Sequence, residues 1–389
     1  MKICLLNDSF PPLIDGVATT VLNYANVLSE YWKDEVIVAT PRYPRADYSK
    51  YPFEVLPYQS INTRKVTAGY RMGNAYSPEA LLRLREFRPD IIHSHCPFSS
   101  LLLARHIHLL TGAPVVFTYH TKFDVDIKRA ARFRTITDAI VKGMCTFIDS
   151  ASDEVWTVSK GAGESLTELG YKGDWRIMYN GVDFPKGKAD EEAVRKATSA
   201  FDLPNDVPLF LFVGRLFVYK GLNIILDALK ILKDKGFDFR MIFIGEGGDV
   251  EYLKKRNVEL NLQDKVRFIG RVSDRELLRA WYTRANLFLF PSTYDTNGIV
   301  VREAAAAGLA SVLIRNSCAA EGVTEGRNGY LIDENAESLA ETLLKIGNDI
   351  TGLNAAGDKA MDELYLSWLD AVTIARENYK RILNIEDPD

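Results

Sequence analysis

Residues 290–308 read FPSTYDTNGIVVREAAAAG, and the change of period along this stretch decides the fold class. Residues 285–290 form an apolar run that is short and is stopped by Pro291, as a buried strand would be. From Gly298 the apolar spacing turns helical, Ala304, Ala305 and Ala306 favour the helix, and Gly308 is a natural breaker at its end. The reading is strand, loop, helix. The loop sets Thr296, Asn297 and Gly298 at a helix N-terminus, where unpaired N–H groups and the positive end of the dipole favour an anionic or oxygen-rich ligand. Asp295 before the helix and Glu303 within it stand eight positions apart. About one and a half turns lie between Gly298 and Glu303, so the two acids grip different parts of one extended ligand rather than share a proton. A plainer reading keeps Asp295 as a helix cap and Glu303 as a solvated helix residue.

The same unit recurs on both sides of this stretch. Residues 2–7 read as a strand, and the loop SFPPLIDG after it leads through Gly16 into a helical pattern that runs to about Trp32. Strand-like runs at 35–40, 53–56, 90–94 and 114–119 alternate with helical ones, one of which is announced by Ser77 as cap and Pro78 at the first position. Such alternation predicts a doubly wound parallel sheet, with ligands at the C-terminal ends of its strands. Residues 42–74, rich in tyrosine and carrying Arg64, Lys65 and Arg71, fit this pattern least and read as an irregular insertion. Further strands are expected at 153–158 and 175–179, followed by NGVD at 180–183 and by a polar, proline-punctuated stretch at 186–208 that reads as a linker. The pattern then restarts with LFLFVGRL. Its loop, GRLFVYKG, puts Arg215 and Lys220 ahead of the helix that follows Gly221, two cations where a phosphate would sit. MIFIGEGG and VRFIGRVSDRELLRAW repeat the unit, and Ser273 with Glu276 has the spacing of a capping box.

Composition and motifs exclude several classes. With 389 residues, 47% hydrophobic and 26% charged, the chain has core enough for two or three domains. A net charge of −4 gives no global attraction to nucleic acid. The opening MKICLLN does not read as a signal peptide and no run approaches membrane-spanning length, so a cytosolic protein is expected. Cys4, Cys96, Cys145 and Cys318 lack paired spacing and read as buried thiols. No G-x-G-x-x-G follows the first strand and no Walker loop follows Val213, which argues against a nicotinamide or flavin enzyme and against a nucleotide triphosphatase. A metal at His93, His95 and Cys96 is disfavoured on the expectation that His93 and His95 point to opposite faces of a strand, and Asp124-Val125-Asp126 is short enough to occur by chance. His120 differs, because it leaves a buried apolar strand at the edge where ligands gather.

Taken in order, Gly16, His120, NGVD, GRLFVYKG and the D-TNGIVVR-E segment resemble the retaining glycosyltransferases of family 4, over nearly the whole chain. The resemblance implies an α/β fold of GT-B architecture, two doubly wound Rossmann-like domains facing across a cleft. Residues 1–183, with a C-terminal helix at 367–389 crossing back, would bind the acceptor, and 184–366 the nucleotide-sugar. It implies catalytic roles for His120, Asp295, Arg215 and Lys220. Donor binding would fall to Gly16, Arg215, Lys220, Gly245, Glu246, Gly247, Arg271, Val272, Asp295, Thr296, Asn297, Gly298, Ile299, Val300 and Glu303. Asp295 would face the sugar and Glu303 the ribose. The family usually has glutamate at the first acid, so Asp295 is one methylene short.

The expected activity is transfer of a hexose from a nucleotide diphosphate sugar, a UDP-sugar first, to a hydroxyl acceptor, a membrane lipid such as diacylglycerol or, alternatively, a saccharide, with retention, without a cofactor and without a metal. The basic residues Lys128, Arg129, Arg132 and Arg134 suggest an anionic membrane surface as a further partner, reached from the inner face, while nucleic acid is not one. Two alternatives stand beside this reading: a nucleotide-sugar epimerase on the same fold, and a nucleotide-sugar-binding protein whose catalysis is impaired by Asp295.

Overall fold

Two parallel sheets, each wound in both directions from its own first strand, produce the repeated strand-loop-helix pattern. The computed structural model describes residues 1–13, 15–62, 71–120 and 134–385. They divide into one unit of residues 1–180 and 368–389 and another of residues 181–367.

In the first unit the strands are β1 (Lys2–Leu6), β2 (Glu35–Pro41), β3 (Glu54–Tyr58), β4 (Ser60–Asn62), β5 (Arg71–Gly73), β6 (Ile91–Ser94), β7 (Val115–Tyr119), β8 (Glu154–Thr157) and β9 (Trp175–Ile177). Seven of them form one parallel sheet in the order β3-β2-β1-β6-β7-β8-β9, and β4 pairs with β5 in a small antiparallel ribbon. The central strands are buried along their length, as strands covered by helices on both faces must be. The order reverses between β1 and β6, which opens a crevice at their C-terminal ends.

The chain's last helix, Trp368–Leu383, belongs to this first unit. Its Tyr379 ring stacks on Trp156 with centroids 5.3 Å apart and 14° between planes. Its Arg376 donates to both oxygens of the buried Asp34, at 2.8 and 3.2 Å, and covers the Trp32 ring. Asp34 also accepts from the Met1 amine at 2.8 Å.

The second unit contains β10 (Leu209–Val213), β11 (Arg240–Ile244), β12 (Val266–Phe268), β13 (Leu287–Phe290), β14 (Ser311–Ile314) and β15 (Tyr330–Ile332). All are parallel, in the order β12-β11-β10-β13-β14-β15, so the reversal falls between β10 and β13. One apolar core joins both faces of the sheet, with Phe212, Phe288 and Phe290 in a stacked row. The stretch 186–208 is not a linker. It carries the helix Glu191–Thr198, capped by Asp190, and Phe201 packs edge-on against Trp281 of the helix Arg275–Arg284. Its polar composition reflects the solvated side of a short surface helix, and the chain passes between units at 180/181 and 367/368 instead. No described helix is long and apolar enough to cross a membrane.

Asp34 neutralises two cations in a buried setting, and removing one member of such a group leaves charge unpaired. Asp34→Ala is therefore expected to release the helix Trp368–Leu383 by about 3 kcal/mol, read as roughly hundredfold faster hydrogen exchange of its amides. Unchanged exchange in that helix would contradict the assignment.

Candidate functional site

Lys220 and Asp295 meet at the reversal point of the second sheet. Lys220 closes a short 3₁₀ turn after β10, and the ammonium of its side chain, which is only 7% exposed, touches both oxygens of Asp295 at 2.6 and 2.9 Å. Asp295 lies in the loop after β13, where Ser292 donates a further bond to its Oδ2 at 2.6 Å. The Phe290 ring lies beneath the ammonium, with its centroid 5.6 Å from Nζ. A buried ammonium is tolerated only when paired, and the carboxylate supplies that pairing. Three N–H donors serve the ammonium and Asp295 takes two, so one remains for a ligand oxygen. Asp295 is thus no helix cap, since the residue before the helix Ile299–Ala306 is Gly298.

Beside this pair the helix N-terminus carries an unusual burden. Both polar atoms of the Asn297 side-chain amide are buried without a hydrogen-bond partner among the described residues. Leaving such groups unpaired costs about 1–3 kcal/mol each, a penalty that a ligand or solvent at this place would remove. The first N–H groups of the helix, at Ile299 and Val300, have no acceptor within it, and the side chains of both pack on the unit's core. Arg215 lies in the β10 loop, exposed, with its guanidinium 5.8 Å from the Phe217 ring centroid, and it is paired with no carboxylate among the described residues. Tyr219 and Tyr294, with centroids 4.7 Å apart, tie the two loops together.

Glu303 is buried rather than solvated. Arg275 donates to its Oε1 at 2.8 Å and Tyr282 to its Oε2 at 3.1 Å. Burial pushes the Glu303 carboxyl above its ordinary range, while Arg275 and the bond from Tyr282 hold it down. Arg275 covers the Phe184 ring at 4.1 Å and approaches Asp183 at 3.8 Å, which brings the NGVD segment into the same cluster. Sequence reasoning missed Arg275 because it looked for a capping box in that segment. The cap is in fact Asp274, which accepts from the backbone of Glu276 and Leu277, and Ser273 makes no such bond. Arg271 is exposed beside it and Val272 is half-buried.

The glycines of the neighbouring loops have packing reasons. At Gly221, with φ of +77°, a Cβ would overlap the carbonyl oxygen of Pro291, so the β10 and β13 loops can approach only over a bare backbone. At Gly245 a Cβ would overlap the carbonyl oxygen of Gly214, and at Gly247 that of Leu216. The Gly245 N–H donates to the Gly270 carbonyl, and the Glu246 carbonyl accepts from Leu216, so these backbone groups already hold the loops to one another. The Glu246 side chain is exposed.

In the first unit, histidines gather at the ends of β6 and β7. His95 Nδ1 and His120 Nε2 are 2.9 Å apart, and both residues are buried. His93 is held by Tyr379 and by Thr118, and its ring centroid is 3.9 Å from that of His95. The expectation that His93 and His95 point to opposite faces fails because residues two apart on a strand share a face, and the two rings lie side by side. No group of three candidate ligands that could hold a metal occurs among the described residues. Gly16 opens the helix Gly16–Asn26, capped by Asp15, with open space where its Cβ would be. Asp124, Asp126, Arg64, Lys65, Lys128, Arg129 and Arg132 lie outside the described residues, as does the side chain of Arg134.

Comparison with known proteins agrees with this arrangement. Residues 14–185 match the family model described as Glycosyltransferase Family 4, and residues 194–360 match that of Glycosyl transferases group 1. The chain belongs to the glycosyltransferases. It is 28% identical to the sulfoquinovosyl transferase SQD2 of Arabidopsis thaliana over 94% of this chain and 71% of that protein. It is 25% identical to alpha-monoglucosyldiacylglycerol synthase of Acholeplasma laidlawii over 89% and 88%. Among solved structures, Anabaena Alr3699/HepE in complex with UDP superposes with a TM-score of 0.77 at 18% identity, covering 99% of this chain and 100% of that one, which shows the GT-B fold. With transferase models on both halves and transferases as relatives, the epimerase reading is not favoured.

The glycosyltransferase loops after β10 and β13 depend on the contact at Gly221. Gly221→Ala is expected to separate them and to weaken binding of the nucleotide-sugar donor, with UDP as the probe, at least tenfold in calorimetry, while circular dichroism keeps the α/β signal. Probe affinity equal to that of the wild type would contradict this role for the contact.

Proposed function

We propose that the chain transfers a hexose from a UDP-sugar to the hydroxyl of a membrane lipid of the diacylglycerol class, with retention and without a metal. The observation that carries the proposal is the Lys220–Asp295 pair at the reversal point of the second sheet, beside the unpartnered Asn297 amide and a helix N-terminus. In this reading the second unit holds the nucleotide-sugar and the first receives the acceptor. The relatives named as sulfoquinovosyl transferase and monoglucosyldiacylglycerol synthase support the donor class and the lipid acceptor.

Departure of the diphosphate leaves positive charge on the sugar and negative charge on the leaving oxygens. Arg215, Lys220 and the N–H groups at Gly298, Ile299 and Val300 meet that negative charge, each directed donor stabilising the transition state by on the order of 3 kcal/mol. Asp295 has both oxygens engaged, which disfavours it as a covalent nucleophile and favours attack by the acceptor hydroxyl on the face the diphosphate leaves. Glu303 accepts from the ribose hydroxyls, since its oxygens retain lone pairs beyond those used by Arg275 and Tyr282. The family resemblance assigns Gly16 and His120 to the sugar as well. Gly245, Glu246, Gly247, Arg271 and Val272 border the base. Lys128, Arg129, Arg132 and Arg134, with Arg64 and Lys65, would rest on an anionic leaflet, placing the protein peripherally on the inner face of the membrane.

Thin-layer analysis of UDP-glucose incubated with diacylglycerol in anionic vesicles and EDTA should show a glycolipid of retained configuration. Arg215→Ala should lower its rate by at least a hundredfold. Free glucose or an epimerised UDP-sugar as the product would remove the proposal. The burial of Glu303 carries a pH consequence. Ribose hydroxyls need the ionised carboxylate, so UDP affinity should fall as pH drops through the raised Glu303 value, and Arg275→Ala, which removes the main influence holding that value down, should move the fall to higher pH. Curves that coincide for the two proteins would take Glu303 out of the site.

A further inference from the structure

From the paired rings at the ends of β6 and β7 we infer that His95 is a positioning residue, one that fixes the proton of His120 on Nδ1 and so makes His120 a hydrogen-bond donor toward the sugar. The inference rests on the reading of His120 as a sugar contact. The geometry begins with the bond itself. His95 Nδ1 and His120 Nε2 are 2.9 Å apart, and the two rings lie 23° from coplanar with centroids 5.2 Å apart, as an in-plane N–H···N bond requires. One nitrogen must donate and the other accept, because a neutral imidazole has one of each.

The far side of His95 decides which. His95 is 2% exposed, and its Nε2 has no hydrogen-bond partner among the described residues. If the proton sat on Nε2, a buried N–H would be left unpaired and His120 would have to donate. If it sits on Nδ1, the unpartnered atom is a bare lone pair, the less costly defect, and His95 donates to His120. His120 Nε2 is then the acceptor and its own proton is confined to Nδ1. Burial holds both rings in the neutral form, with His120 lowered to about 3. The His95 ring has little freedom to turn. It lies 3.9 Å from His93, which is pinned between Tyr379 at 2.5 Å and Thr118 at 2.7 Å, and the Tyr24 ring meets its edge at 5.4 Å. Tyr379 comes from the helix Trp368–Leu383, so that helix braces the tautomer through His93.

The chain has five histidines, few enough to assign one by one in a nitrogen-15 imidazole spectrum of the full-length protein. The His120 ring is expected to carry its proton on Nδ1 in the wild type and to move it to Nε2 in His95→Phe. His95→Asn sets an amide N–H where Nδ1 was and should restore the wild-type signal. Turnover of UDP-glucose with diacylglycerol vesicles should fall about tenfold in kcat for His95→Phe, with KM for UDP-glucose little changed, and recover in His95→Asn. A wild-type His120 protonated on Nε2 overturns the inference, and that spectrum needs no variant to fold. So does a His120 tautomer that His95→Phe leaves in place. The underlying reading is decided separately by His120→Ala. Undiminished turnover there removes His120 from the sugar site whatever its tautomer.

Discussion

A buried ammonium that must be neutralised organises the second unit. Lys220 is almost wholly removed from water, and in that setting an unpaired charge would cost several kcal/mol. Asp295 meets the requirement from a loop 75 residues further along the chain. The pairing holds the loops after β10 and β13 together at the place where the strand order reverses. The remaining features of the site follow from that closure. Gly221 must lack a side chain for Pro291 to come close, Tyr219 can reach Tyr294, and the helix Ile299–Ala306 presents its N-terminus beside a cation. In the proposed reading, substrate binding and loop packing therefore draw on the same residues.

Glu303 shows a second use of the same device. Its carboxylate is buried between Arg275 and Tyr282, both from the helix Arg275–Arg284, so the acid that the family resemblance assigns to the ribose also locks two helices together. Among the described residues, the first unit has no comparable ion pair at its reversal point. There neutral histidines, linked to one another and to Tyr379, take the place of charge. Such a polar network can aim a hydrogen bond without the cost of desolvating an ion.

Much of this was legible in the sequence, and the failures have local causes. The switch from strand to helical period, repeated down the chain, was enough for two doubly wound sheets, because parallel strands buried on both faces read as uninterrupted apolar runs. Asp295, Glu303, Lys220 and Arg215 stood out because they adjoin glycines and strand ends. That Lys220 and Asp295 would pair was not legible, since no local pattern links residues so far apart. Arg275 was hidden inside an expected capping box, and its partner Glu303 lies on another helix. The stretch 186–208 was misread because a short surface helix and a linker share a polar composition. His93 and His95 were assigned to opposite faces, whereas residues two apart on a strand share one, as their neighbouring rings show.

The central claim is that Lys220 and its surroundings bind the nucleotide diphosphate by protein charge alone. Titration of UDP into the full chain in the presence of EDTA, followed by calorimetry, tests it most directly. The expected result is one UDP bound per chain without metal, with affinity at least tenfold weaker in Lys220→Met. Binding that appears only when a divalent metal is added, or a Lys220→Met isotherm that overlays the wild type, would contradict it.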